Sequence, residues 1–199
     1  MYIQITTKCN MSCEHCGMNC TNEGENMSKE TLLKALDMGH GQLAIGGGEP
    51  TIHPQFNDFL ITILSHEYTE YTWMITNGSK TNLSIALAKM SNENFCVALS
   101  QDCFHDEIDE RVVNTFNDLN LEIRDNTENL INAGRCDWVD NDGCICPNMI
   151  IKPNGDIYGC GCDNAPMIGN VDNGIFEQYE EWQHGECSEY NLEQMQETC

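Results

Sequence analysis

Apolar residues recur along this chain in two rhythms that take turns. "YIQIT" (2–6), "QLAIGG" (42–47), "YTWMIT" (71–76), residues 95–101 and "LEIRD" (121–125) are short runs rich in aromatic and β-branched residues, and they predict five strands. Between them the apolar positions open out to spacings of three and four, which predicts helices over 28–39, 54–67, 82–91 and 106–119. Ser28 suits the N-cap of the first helix and Gly39 its end. "NTENLINAG" (126–134) is expected to add a last short helix. Strands alternating with helices of this length form βαβ units around a parallel sheet, so the expected class is α/β. Five units are too few to close an eight-stranded barrel. An open sheet and a partial (β/α) barrel of five to six units both fit.

After Gly134 the rhythm breaks, which divides the chain into a core over 1–134 and a cysteine-rich region over 135–199. Five cysteines fall between 136 and 162, around "MIIKPNGDIYGC", a β-hairpin expected to turn at Pro153, Asn154 and Gly155. "MIIKP" is also the one candidate for a sixth strand of the core. The tail from 177 to 199 carries seven glutamates and no Lys or Arg.

Charge narrows the choice of partners. Thirty-two acidic against nine basic residues give a net charge of −23, and no two of the bases are adjacent. Tight binding to a nucleic acid rests on clustered cations that displace phosphate counterions, so this chain is not expected to bind one. No run of 18 apolar residues is present to span a membrane, and the N-terminus lacks the basic-then-apolar order of a secretory signal. Thirteen cysteines in such a chain point to metal binding rather than to disulfides, and to the cytoplasm.

The densest thiols lie in "KCNMSCEHCGMNC" (8–20), where Cys9, Cys13 and Cys16 are spaced C-x3-C-x2-C directly after the first strand. On spacing alone they suit a zinc ion, with Cys20 or His15 as a fourth ligand, or a cubane iron–sulfur cluster with one iron left open. A second motif, "GGGEP" (46–50), follows the second strand; "TNG" (76–78) follows the third and "SQD" (100–102) the fourth. In a parallel sheet all four lie on one rim, where ligands bind. Glycines let backbone approach a ligand closely, and Glu49 offers a carboxylate to an ammonium group.

With both motifs in place, the chain resembles the radical S-adenosylmethionine (radical SAM) superfamily over roughly residues 2–125. The resemblance implies a partial (β/α) barrel, a 4Fe–4S cluster on Cys9, Cys13 and Cys16, and S-adenosylmethionine chelating the open iron. It implies reductive cleavage of that cofactor to a 5′-deoxyadenosyl radical, with an external flavodoxin- or ferredoxin-type electron donor. His15 falls at the motif's aromatic position near the adenine, and Gly47, Gly48 and Glu49 match the motif that holds the methionine amino group. Asn77 lies in a shared turn. Ser100 and Asp102 match ribose or methionine contacts, and Arg124 a partner for the methionine carboxylate or an ordinary exposed arginine.

Cys146, Gly155 and Cys160, with "IGNV" (168–171), resemble the opening of SPASM and Twitch auxiliary-cluster domains. That likeness implies a second 4Fe–4S cluster, with Cys162 and Cys187 as weaker ligand choices; a structural zinc or free thiols are the alternatives. Cys20, Cys96 and Cys103 are expected to pack as small apolar residues or line the rim, and His105 to form a surface hydrogen bond, the alternative being that it faces substrate. The expected substrate is a peptide or small molecule. A nucleotide modifier, a glycyl-radical-enzyme activase, and a non-enzymatic iron–sulfur carrier or zinc-stabilised module are the competing readings.

Overall fold

The structure, a computed structural model, describes residues 1–141, 148–161 and 165–179. Strands β1 (Tyr2–Thr6), β2 (Gln42–Gly47), β3 (Tyr71–Thr76), β4 (Phe95–Ser100) and β5 (Ile123–Arg124) alternate with helices α1 (Lys29–Leu36), α2 (Phe56–Ser65), α3 (Thr81–Met90) and α4 (Glu110–Asp118). Four short strands follow: β6 (Ile150–Ile151), β7 (Asp156–Tyr158), β8 (Met167–Asn170) and β9 (Gly174–Ile175). All nine make one sheet in the order β5-β4-β3-β2-β1-β6-β7-β8-β9, parallel from β5 to β6 and antiparallel from β6 to β9. The sheet is open, with β5 and β9 at its edges.

Period-two alternation sorts the parallel strands into two faces. Register pairs Ile3 with Ile45, Ile45 with Met74 and Met74 with Val97. These residues pack with Leu32, Leu36, Phe59, Ile63, Leu87 and Phe116 from the helices into the main core. On the other face the same registers align Tyr2, Ala44, Trp73 and Cys96, and, one step along, Ser100 with Arg124. That second face carries the functional cavity.

Capping explains where the helices start. Ser28 accepts from Thr31 N, and α1 closes into a turn ending at Gly39 with φ +77°. Asp109 caps α4 by accepting from Arg111 N, so the helix begins at Glu110 and not at 106. The expected helix over 126–134 does not form. These residues run as turns, and Asn141 Nδ2 donates to the Leu130 carbonyl oxygen.

"MIIKP" supplies the sixth strand, β6, which pairs parallel with β1, Tyr2 against Ile150. Its hairpin to β7 turns at Pro153 and Asn154, with Gly155 N donating to Lys152 O at 2.9 Å and Gly155 at φ +89°. The turn between β8 and β9 is tied to α1 by Lys34, which bonds Glu30 at 2.7 Å and Asp172 at 2.5 Å.

Candidate active site

At the C-terminal ends of the parallel strands lies a cavity of about 610 Å³. Its floor is the second face of the sheet, Tyr2, Ala44, Trp73 and Ile75, and its rim carries Cys9, Cys13, His15, Cys16, Gly47, Gly48, Glu49, Asn77, Ser100 and Arg124. Nearly every core residue that the motifs singled out therefore meets at one place.

The cysteine loop is folded back on itself before it reaches the cavity. Thr7 N donates to Glu25 O, Cys9 N to Thr21 O and Met27 N to Ile5 O, closing the loop as a long strap over β1. Backbone amides point at two of the sulfurs: Met11 N to Cys9 Sγ and Cys20 N to Cys16 Sγ, both at 3.4 Å. The glycine run of "GGGEP" passes directly beneath. Gly48 N donates to Thr6 O and Glu49 N to Lys8 O. A methyl group at Gly48 would sit 2.1 Å from the Lys8 carbonyl oxygen and 2.9 Å from Cys9 Cβ, so no side chain fits there.

Glu49 is 1% exposed. Its Oε1 accepts from Thr51 N, Thr51 Oγ1 and Thr76 Oγ1, and its Oε2 from Asn77 N at 2.6 Å. Burial pushes its carboxyl above the usual carboxylate range, against the pull of those hydrogen bonds. Among the described residues no Lys or Arg forms an ion pair with it. Oε1 is saturated, whereas Oε2 has one donor and a lone pair to spare. A buried carboxylate so arranged is built to receive a cation.

The thiols need positive charge for the same reason. Burial raises the Cys9 thiol; burial and then the charges of Cys9 and Cys16 push Cys13 up to about 11. Cys16 goes the other way, to about 5, chiefly through a hydrogen bond from the Cys20 side chain, whose own thiol is raised. Three thiolates this close cannot all be ionised without a cation among them. Among the described residues the metal-ligating atoms that gather within 4.8 Å of one another belong to His15, Asp102 and His105, not to the cysteine triad.

Other positions fall less simply. Ser100 lines the cavity at the end of β4, and Arg124 lies 4.6 Å over the Trp73 ring while its Nε bonds Glu122. Asn77 Nδ2 reaches Asn10 Oδ1 at 3.2 Å. Asp102 is held behind the cavity wall. Its Oδ1 accepts from Phe104 N and from His105 Nδ1 at 2.7 Å, and its Oδ2 stands 3.2 Å from His15 Nε2. His105 is thus a largely buried wall residue, not the surface residue expected, because Asp102 turns the chain inward after β4. His15 also packs on Phe104, ring centroids 4.8 Å apart.

Arg135 had no motif to mark it. Its Nε donates to Cys13 O, its Nη1 to Cys20 O and Asn19 Oδ1, and its backbone N to Cys16 O, so it clamps the cysteine loop from behind. Gly134 before it, at φ +58°, is pressed against the same backbone: a methyl group there would lie 2.5 Å from Cys16 O. Of the auxiliary-cluster candidates, Cys160 is buried just after β7, while Cys146, Cys162 and Cys187 lie outside the described residues.

Residues 3–139 match the family described as the Radical SAM superfamily. The chain belongs to that superfamily. Membership in the radical SAM superfamily implies an enzyme with a 4Fe–4S cluster and S-adenosylmethionine, and the donor set described above fits both. Solved structures agree on the fold. A crystal structure of BtrN in complex with AdoMet and 2-DOIA superposes with a TM-score of 0.61 at 18% identity, covering 86% of this chain and 77% of that one. One of Streptococcus suis SuiB bound to S-adenosylmethionine gives 0.53 at 16% identity, over 82% of this chain and 60% of that one. A curated relative, the tungsten-containing aldehyde ferredoxin oxidoreductase cofactor-modifying protein of Pyrococcus furiosus, is 36% identical over 67 residues, 30% of this chain. This radical SAM chain aligns with 19% of that relative's length.

Proposed function

We propose that the chain is a radical SAM enzyme acting on a peptide or small molecule, with the cluster on Cys9, Cys13 and Cys16. The observation that carries this is the convergence of those thiols and the buried Glu49, without a Lys or Arg partner among the described residues, on one cavity. Bound there, the cluster and S-adenosylmethionine would supply the radical chemistry that removes hydrogen from an unactivated carbon.

The chain's own residues do the positioning. The amides of Met11 and Cys20 donate to two of the sulfurs and favour their thiolate forms. Glu49 would take the methionine ammonium, and Gly47 and Gly48 would let it come close. Asn77, Ser100 and Arg124, which line the cavity, would meet the polar groups of the cofactor, and His15 the adenine. Tyr2, Trp73 and Ile75 give the cavity an apolar floor that excludes water.

The finer readings extend this one. Residues 135–199 form a SPASM/Twitch-like region with a second cluster, on Cys146, Cys160, Cys162 and Cys187. A flavodoxin- or ferredoxin-type protein supplies electrons in the cytoplasm, and the −23 charge keeps nucleic acids away. No helix among the described residues is long and apolar enough to cross a membrane.

Anaerobic reconstitution followed by dithionite and S-adenosylmethionine is the test. The expected result is 5′-deoxyadenosine from the native chain and none from the Cys9/Cys13/Cys16 triple alanine variant. Two cubanes correspond to about eight irons. A triple variant that holds no iron refutes the second cluster, and a native chain that makes no 5′-deoxyadenosine refutes the enzyme reading.

A further inference from the structure

His15, Asp102 and His105 come from two different loops, the cysteine strap after β1 and the turn after β4, and they meet at the cavity wall. Each offers one ligand atom, and the three atoms lie within 4.8 Å of one another. Their side chains are 10%, 0% and 8% exposed. A carboxylate this deeply buried is costly unless it is paired or hydrogen-bonded, and its ion partners among the described residues are the two imidazoles alone.

Ordinary hydrogen bonding leaves this cluster half satisfied. Asp102 Oδ1 is fully used by Phe104 N and His105 Nδ1. Oδ2 is buried without a hydrogen-bond partner although His15 Nε2 stands 3.2 Å away, and His15 Nδ1 is buried without one as well. A close approach that is not aligned as a hydrogen bond is what two ligands of one ion present. Around a tetrahedral zinc with bonds of about 2.0–2.1 Å, neighbouring ligand atoms are about 3.3–3.4 Å apart.

We propose that His15, Asp102 and His105 form a mononuclear site for a divalent cation of the zinc type, beside the cluster-binding cysteines and separate from them. Two histidines and a carboxylate are a recurring donor set for catalytic zinc and related ions, with a further position left open. His15 and His105 line the cavity, so the open position takes water or an oxygen or nitrogen atom of the substrate. The ion acts there as a Lewis acid and an orienting point for a polar substrate group. The assignment does not depend on the cluster's chemistry, because its readout is the second metal and not turnover.

The experiment loads the full chain with iron and sulfide anaerobically, adds zinc, removes loosely held metal on a desalting column, and measures zinc and iron together. The expected result is one zinc per chain beyond the iron, with zinc-edge X-ray absorption showing only nitrogen and oxygen donors, imidazole among them. Asp102→Asn and His105→Gln lose that zinc with iron unchanged, and Cys103→Ser, at an exposed neighbour, keeps it. Retention of no zinc, sulfur in the zinc shell, or full zinc in both variants overturns the proposal. Should either variant fail to fold, the absorption spectrum of the native chain decides by itself.

Discussion

Changing Glu49 to Gln separates the two things a buried carboxylate does, accepting hydrogen bonds and carrying charge. Three donors converge on Oε1, so the amide oxygen of Gln takes that position and its NH2 turns toward Asn77 N–H, the partner of Oε2. One backbone hydrogen bond is lost, at a cost of about 1–3 kcal/mol. Against this, a buried charge without a cationic partner disappears, a relief of similar size. The unliganded variant is therefore expected to melt close to the native chain. Binding of S-adenosylmethionine is different, since the ammonium loses a charge-assisted bond of about 1.5–3 kcal/mol. That corresponds to a Kd about 10- to 150-fold higher. Calorimetric titration of the cluster-loaded protein, with iron measured on the same sample, reads both terms. A Kd within twofold of native at equal iron content would refute the argument. So would a large loss of iron, which would show that Glu49 acts on the cysteine strap and not on the cofactor.

Two further substitutions probe the strap itself. Gly48→Ala places a methyl group 2.1 Å from the Lys8 carbonyl oxygen, so the strap must shift, and reconstituted iron is expected to fall below half of native; full iron content would show that the strap yields without loss. Arg135→Gln removes the guanidinium bonds to Cys13, Cys20 and Asn19 and a positive charge that favours the Cys9 and Cys16 thiolates. Iron loss to a chelator is expected to be at least severalfold faster, with Arg135→Lys in between, and an unchanged rate would assign Arg135 no part in holding the cluster.

Much of this was legible in the chain because it is local. Strands β1 to β4 follow from runs of apolar residues, and strand alternation alone puts Tyr2, Ala44 and Trp73 on a face away from Ile3, Ile45 and Met74. The strand-end rule for parallel sheets then gathers the cysteine strap, "GGGEP", "TNG" and "SQD" on one rim. What escaped depends on closure over long separations. Nothing in "MIIKP" says that it pairs with β1 and not β5, because a short apolar run fits either edge. Arg135 lies 122 residues from Cys13, and no spacing rule links an isolated arginine to distant carbonyl oxygens. Over 126–134 the apolar pair Leu130 and Ile131 suggests a helix, while the asparagines favour the turns that form.

The pairing of β1 with β6 bears on how the protein is made. Tyr2 leaves the ribosome 148 residues ahead of its partner, Ile150 (150 less 2). At about 5–20 residues per second that interval is roughly 7–30 s. Throughout it, the strand that leads into the cysteine strap has one side bare, and bare strand sides invite pairing between chains. Arg135 emerges 15 residues before β6 begins at Ile150, one gripping the strap and the other sealing the strand below it. Metal loading before that moment would meet an unclamped loop, so an iron–sulfur donor is expected to act once β6 has emerged, and fragments ending near residue 139 to aggregate.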